Sequence, residues 1–226
     1  MKPRIFQLLL LASFAMFSRT AQADVIYNVS LDTSPLIGNA AGPFSLDFQF
    51  TDGSGTNDGN NTVTLSNFDF GAGGGTGLPT TAGTVSGDLT SGFTLTDSDF
   101  LNEFTQTFTP GATLDFTIDL TTNVDAGGVP PDEFTFAILD NTGAEIPTLG
   151  LFDTLLLADI DSSNPTLFAY ASDTSRGTAA TGDPISLDAP IVTSATPEPS
   201  ALWLPVCGLA MVALRRRLRT CGEARQ

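Results

Sequence analysis

Carboxylates dominate the reactive inventory of this chain. Its 226 residues carry 25 Asp and Glu against nine Lys and Arg, and no histidine. The missing histidine removes Ser-His-Asp and Cys-His nucleophile systems and His-ligated zinc or copper. What remains is chemistry that oxygen can do. Glycoside hydrolysis needs two carboxyl groups about 5–10 Å apart. Glu103, Asp132, Glu133 and Glu145 are the acids available for such a pair, yet no local motif joins them, and the expectation is that the chain is not an enzyme.

Hard cations are the better match to these side chains. Residues 52–61 read DGSGTNDGNN, and Asp52 and Asp58 are the candidate calcium ligands there. The loop is not an EF-hand, because Asn57 stands where that loop needs glycine and no terminal Glu follows. A polar hairpin loop is the competing reading. Asp97, Asp99, Asp115 and Asp119 are further candidates with the same alternative. Of 20 aromatic residues 17 are Phe, whereas glycan-binding faces favour Trp and Tyr, which pair an apolar face with a polar edge. The one Trp, Trp203, lies in a C-terminal apolar run, leaving Tyr27 and Tyr170 for a glycan. The phenylalanines read as core, which weakens a lectin-like role without removing it.

The elements that must position these groups are strands. Val25, Tyr27, Val29 and Leu31 alternate with polar residues; so do Phe44, Leu46, Phe48 and Phe50. Leu114, Phe116, Ile118 and Leu120 form a third set, and Phe134, Phe136 and Ile138 a fourth. Period two places each set on one face, toward a core, and the intervening Asp47, Gln49, Asp115, Thr117 and Asp119 toward water. Weaker strand signals cover 63–70, 85–89, 93–95, 104–108, 155–160, 166–171 and 185–193. Val63 and Leu65 are out of phase with Phe68 and Phe70, which predicts a bulge near Ser66-Asn67. Residues 71–77 read as a flexible glycine-rich loop, and 149–159 as helix or strand. About ten short strands joined by Gly, Asp and Asn turns predict an all-β fold: an antiparallel β-sandwich, jelly-roll-like, with a barrel as the alternative.

The two ends read as addresses. Lys2 and Arg4, the apolar stretch 5–17 and the small-residue site Ala21-Gln22-Ala23 make an N-terminal signal peptide, residues 1–23, cleaved before Asp24. Near the other end come Pro197-Glu198-Pro199, the apolar run 201–214, and Arg215, Arg216, Arg217 and Arg219. As a helix the run spans roughly 21 Å, short for a hydrocarbon core of about 30 Å. Flanking arginines and local thinning help it span. The arginines keep the tail 215–226 cytoplasmic, with residues 24–199 on the far side. A buried core helix is the alternative, but the run has no polar face.

In this ordered three-part pattern the C-terminus resembles the PEP-CTERM sorting signal of exported Gram-negative bacterial proteins. The resemblance covers about 30 residues. It implies recognition and cleavage near the triplet by an exosortase-type protease, then transfer to the cell surface or an extracellular matrix, in an exopolysaccharide or biofilm setting. Signal peptidase and the export machinery are the other implied partners.

The exported region, residues 24–199, is far more acidic than the whole chain. The chain's net charge is −16, but Arg176 is the one basic residue against 24 acids in that region, a net −23. Such a charge opposes nucleic-acid and anionic-membrane partners. The region has no cysteine, since Cys207 and Cys221 lie beyond it. The expected organisation is a signal peptide (1–23), a β-sandwich domain (24–193), an extended spacer with the triplet (194–200), a transmembrane helix (201–214) and a basic tail (215–226). The expected role is structural or adhesive. A carbohydrate- or calcium-binding module is the alternative, and a carboxylate-dependent glycoside hydrolase the third reading.

Overall fold

The computed structural model describes residues 24–53, 57–124 and 130–195. In chain order the strands are β1 (Val25–Asp32), β2 (Phe44–Thr51), β3 (Thr62–Asp69), β4 (Gly74–Gly75), β5 (Thr80–Ala82), β6 (Thr84–Asp88), β7 (Gly92–Thr96), β8 (Leu101–Thr109), β9 (Thr113–Leu120), β10 (Glu133–Leu139), β11 (Leu156–Asp159), β12 (Leu167–Ala169) and β13 (Ile191–Ala195). Among the described residues the helical elements are two 3₁₀ turns, Ser34–Leu36 and Leu151–Asp153. The fold is all-β. Two antiparallel sheets run β13-β1-β9-β3-β7-β6 and β12-β11-β10-β2-β8-β4, with β5 also paired to β8.

Alternation decides which face each strand buries. In β1 and β9 every second residue is buried, and their apolar rows meet side by side, Val29 opposite Phe116 and Leu31 opposite Leu114. In the other sheet β2 sits between β8 and β10, so Phe48 has Phe104 on one side and Phe136 on the other. The inward faces of the two sheets share one core. Phe48 of β2 meets Phe93 of β7 at 5.3 Å and Phe116 of β9 at 5.6 Å, both edge to face. Phe93 stacks on Phe104 of the opposite sheet. Removing each such ring from water contributes about 1.5–3 kcal/mol, and ring pairs add about 0.5–1.5 kcal/mol.

The four strong alternating sets are all buried strand residues. The predicted irregularity is also there: the β3–β9 register shifts between Ser66 and Asp69, with Asn67 at φ 56°. Several expectations need correction. The glycine-rich stretch contains β4, whose two residues pair with Phe108 and Thr109. It lies so flat on the neighbouring strand that a Cβ on Gly73 would stand 2.0 Å from the Thr109 carbonyl oxygen. Of the two readings of residues 149–159, strand is the one found, as β11, after the 3₁₀ turn Leu151–Asp153. The last strand is Ile191–Ala195, so Ser194 and Ala195, expected in the spacer, pair with Tyr27 and Ile26.

Asp47 is the clearest correction. Its strand position predicts exposure, but it is buried. The chain leaves β10, returns through the Leu139–Glu145 bridge, and is held by Ile146 N–H on the Ile138 carbonyl and Leu155 N–H on the Phe136 carbonyl. This excursion brings Glu145, Phe152 and Thr154 over the outer face beside Asp47.

The signal peptide with Ala21 and Ala23, the triplet Pro197-Glu198-Pro199, the run 201–214 and the arginine cluster lie outside the described residues. Among the described residues no helix is long and apolar enough to cross a membrane.

Candidate functional site

Six polar side chains continue the buried rows one step past the apolar part. Asp52 follows Phe48 and Phe50 on the inward face of β2. Asp97 follows Phe93 and Leu95 on β7, and Thr122 follows Leu120 on β9. Asn61 precedes Val63, Asn102 precedes Phe104, and Asp132 precedes Phe134. All six are buried. The core therefore ends, at one end of the sheets, in a layer of three Asp, two Asn and one Thr.

Asn61, fully buried, ties this layer together. Its Nδ2 donates to Asp132 Oδ2 at 2.7 Å and to the Asn123 carbonyl at 2.7 Å. Its Oδ1 accepts from Asn123 N–H at 2.8 Å and Thr121 Oγ1 at 3.2 Å. Its backbone N–H donates to Asp97 Oδ2 at 3.0 Å. Through its side chain and its backbone N–H, this one residue joins the segments before β3, after β7, after β9 and before β10. Gly53 closes the same corner. Its N–H donates to Asp132 Oδ1 at 3.1 Å, and a Cβ there would meet the Pro131 carbonyl oxygen at 1.9 Å.

The electrostatics are unusual for an interior. Asp97 Oδ1 is buried and accepts from no N–H donor, and the Asp97 carboxyl is within hydrogen-bond reach of the Asp132 carboxylate. Burial, with the Asp132 and Asp58 carboxylates, pushes the Asp97 carboxyl up to about 7, against the opposing hydrogen bond from Asn61 N–H. Arg176, the one basic residue of residues 24–195, is engaged elsewhere with Asp153, Asp173 and the Thr148 carbonyl. Among the described residues no three acidic, His or Cys side chains converge as a metal-binding group. An ion in this layer would need amide, carbonyl or water oxygens beside two carboxylates, a donor set that calcium accepts.

The predicted calcium residues separate. Asp52 is buried in the layer and accepts from Asn57 N–H. Asp58 is exposed and turns back on Asn60, accepting from its N–H at 3.2 Å and Nδ2 at 3.0 Å. Asp97 joins the layer, whereas Asp99 is exposed and accepts from Thr84 Oγ1 at 2.8 Å. Asp115 and Asp119 stay half-buried on the outer face of the six-stranded sheet. Asn61 and Asp132 do not stand out in the sequence as members of one polar layer, although the phase of each relative to the next strand points inward.

Of the acids weighed for hydrolysis, Glu133 and Glu145 come together and Asp132 lies apart. Asp132 sits in the layer. Glu133 and Glu145 line a cavity of about 90 Å³ on the outer face of the seven-stranded sheet, with Asp47, Gln49 and Phe152. Burial pushes the Asp47 carboxyl up to about 6, helped by Glu103 and Glu145, while Gln49 and Thr105 hydrogen bonds oppose the rise. Gln49 Nε2 donates to Asp47 Oδ2 at 2.8 Å and Thr105 Oγ1 to Oδ1 at 3.1 Å. This cavity presents carboxylate and amide oxygens, and the Asp47 carboxyl, raised to about 6, can exchange a proton near that pH. Tyr27, weighed as a glycan platform, is buried with its hydroxyl donating to the Pro165 carbonyl. Among the described residues the exposed rings are Phe100, Phe152 and Phe168. Comparison with family models, with curated proteins and with solved structures finds no match for this chain.

Proposed function

We propose that the chain is an exported, non-enzymatic β-sandwich protein, jelly-roll-like, delivered to the cell surface or an extracellular matrix. There it acts structurally or adhesively among exopolysaccharides, after processing by signal peptidase and an exosortase-type protease. One observation carries most of the weight. Among the described residues the first strand starts at Val25, just past the expected signal-peptide site, and the last ends at Ala195, just short of the Pro-Glu-Pro triplet. Ile26 and Ala195 are register partners. Both cuts would therefore spare every strand pairing among the described residues. A body whose edges coincide with two independent processing signals is what a released substrate requires.

The test is expression in the native host of wild type and a Pro197/Glu198/Pro199→Ala variant, with intact mass and location recorded. The expected wild-type product begins at Asp24, ends near Pro199 and lies outside the cell. The variant should keep its C-terminus and stay with the membrane. Retention of the tail by both proteins overturns the sorting reading.

A glycan-binding role is the second reading, favoured by Phe152. Its ring is 76% exposed and lines the cavity that holds Asp47, Gln49, Glu133 and Glu145. A sugar ring stacking on Phe152 would place its hydroxyls toward those acceptors. Co-sedimentation with the host's exopolysaccharide, lost in Phe152→Ala, supports it; equal binding by both proteins removes it.

A further inference from the structure

We propose that the open groove on the outer face of the six-stranded sheet is a binding site for an uncharged polyhydroxylated chain, a neutral glycan, laid across β13, β1 and β9 against β3. The site lies on the other sheet from the Phe152 cavity and needs neither that cavity nor export.

The first ground is the kind of side chain displayed. Strands β1, β3, β6, β7, β9 and β13 contain no Lys, Arg, Glu or Gln. Their outward positions hold mostly Thr, Ser, Asn and Asp, whereas the seven-stranded sheet turns Gln49, Glu103 and Glu133 outward. Long side chains give up more rotamer freedom on ordering than short ones, and β-branched Thr is stiff at χ1. A ligand meeting the six-stranded face therefore has little left to order.

The second ground is layout. Asn28 pairs with Thr193 on one side and Thr117 on the other, and Ser30 pairs with Ile191 and Asp115 in the same way. These two rows line the groove, whose volume is about 300 Å³. With about 4.8 Å between strands, each row runs roughly 10 Å across the sheet. The wall on the β3 side comes from the register shift between Ser66 and Asp69, which brings Asn67, at φ 56°, to the groove. Asn67 Nδ2 donates to Thr117 Oγ1 at 3.3 Å, and Thr117 Oγ1 donates to Asn28 Oδ1 at 3.1 Å. This relay fixes two amides and a hydroxyl across three strands. Asn28 Nδ2 supplies a donor, and Asn67 Oδ1 and the Asp115 carboxylate supply acceptors.

Such a mixture suits sugar hydroxyls, each of which both donates and accepts. Ile191, 69% exposed at the end of the second row, offers an apolar surface to the C–H face of a ring. Charge then selects among glycans. The groove holds the Asp115 carboxylate, its strands carry no basic side chain, and Arg176 is bound to Asp153 and Asp173. A uronate or sulfate would meet that carboxylate with no cation to offset it.

The test is native affinity electrophoresis of the full-length chain in mild detergent. The gels contain dextran, glucomannan or xylan as neutral probes, alginate as an acidic one and chitosan as a cationic one. At least one neutral probe should retard the wild type, and alginate should not. Asn28→Ala and Asp115→Ala should each weaken the retardation about tenfold. Ser30→Trp, which fills the groove, should abolish it. All three variants should melt within a few degrees of wild type, since they change outward positions. Phe152→Ala should bind as wild type does, which separates this groove from the cavity on the other sheet. A face that is merely solvated gives no retardation by any neutral probe. That result overturns the site, as does retardation that survives both alanine substitutions, or retardation by chitosan alone, which marks simple charge attraction.

Discussion

The tripeptide Leu-Asp-Phe occurs twice, as Leu46-Asp47-Phe48 in β2 and Leu114-Asp115-Phe116 in β9. The two strands lie in different sheets, and Phe48 and Phe116 meet edge to face across the core. Inside, the copies behave alike: both leucines and both rings are buried. Outside, they diverge. Asp115 lines an open groove of about 300 Å³ with Asn28, Asn67 and Thr117. Asp47 is sealed under the segment that carries Glu145, Phe152 and Thr154. Identical local sequence therefore sets the inward face, and a distant connection sets the fate of the outward one.

The inward likeness breaks most expensively. Phe48 contacts four rings, Phe68, Phe93, Phe116 and Phe136. Phe48→Ala is expected to cost about 3–5 kcal/mol in denaturant unfolding. Phe116 contacts three of the same group, Phe48, Phe68 and Phe136, and Phe116→Ala should fall at the lower end of that range. A Phe116 variant clearly worse than the Phe48 variant would make β9, not β2, the centre of the core.

The outward difference gives the next effect. Burial raises the Asp47 carboxyl from its ordinary 3.8 to about 6 in the folded protein. The folded state then holds that proton more tightly than the unfolded chain. Its contribution is fully present below about pH 4 and is lost as pH rises through about 6. A shift of about two units amounts to ~3 kcal/mol at pH 8. Asp47→Asn, which keeps an acceptor for Gln49 and Thr105, should stabilise by about 1–3 kcal/mol at pH 8 and do nothing at pH 4. Asp115→Asn should stay within about 0.5 kcal/mol at both. Equal pH responses from the two variants would erase the contrast.

The smallest effect isolates the cover. Phe152 has φ 54°, a left-handed conformation costly for a large side chain. Phe152→Gly removes the ring and that strain together, so stability should change by less than about 1 kcal/mol. The Asp47 titration midpoint, followed by carboxyl NMR, should move from about 6 toward its ordinary value. An unmoved midpoint would assign the shift to burial by the rest of the cover, with Glu103 and Glu145, and not to the Phe152 ring.

What could be read in advance follows the same division. The rows from Val25 to Leu31, Phe44 to Phe50, Leu114 to Leu120 and Phe134 to Ile138 carry their own face assignment, because alternation is local. Asn67 betrayed the β3 irregularity by a break in phase. Asp47 could not be read correctly, because its cover comes from residues about 100 positions away. The strands Gly74–Gly75 and Thr80–Ala82 hold no large apolar side chain, so their pairing with β8 leaves no pattern. The polar layer was half legible. Asp52 and Asp97 stood out as acids, but Asn61 reads like any turn amide until its phase with Val63 and Leu65 is counted.

The pairing of Ile26 with Ala195 also has a mechanical side. β1 and β13 are antiparallel neighbours whose outer ends leave the sheet at the same point. Tension between those ends would not shear the ladder as a block. It would open the rungs one after another, as a zipper opens, beginning at Ile26 and Ala195 and reaching Ser30 and Ile191 last. The β1–β9 ladder and the phenylalanine core behind it would bear no load until β13 had peeled away. Held by its two ends, this body is built to yield first at its newest edge, and single-molecule pulling should record a low first rupture before a high one.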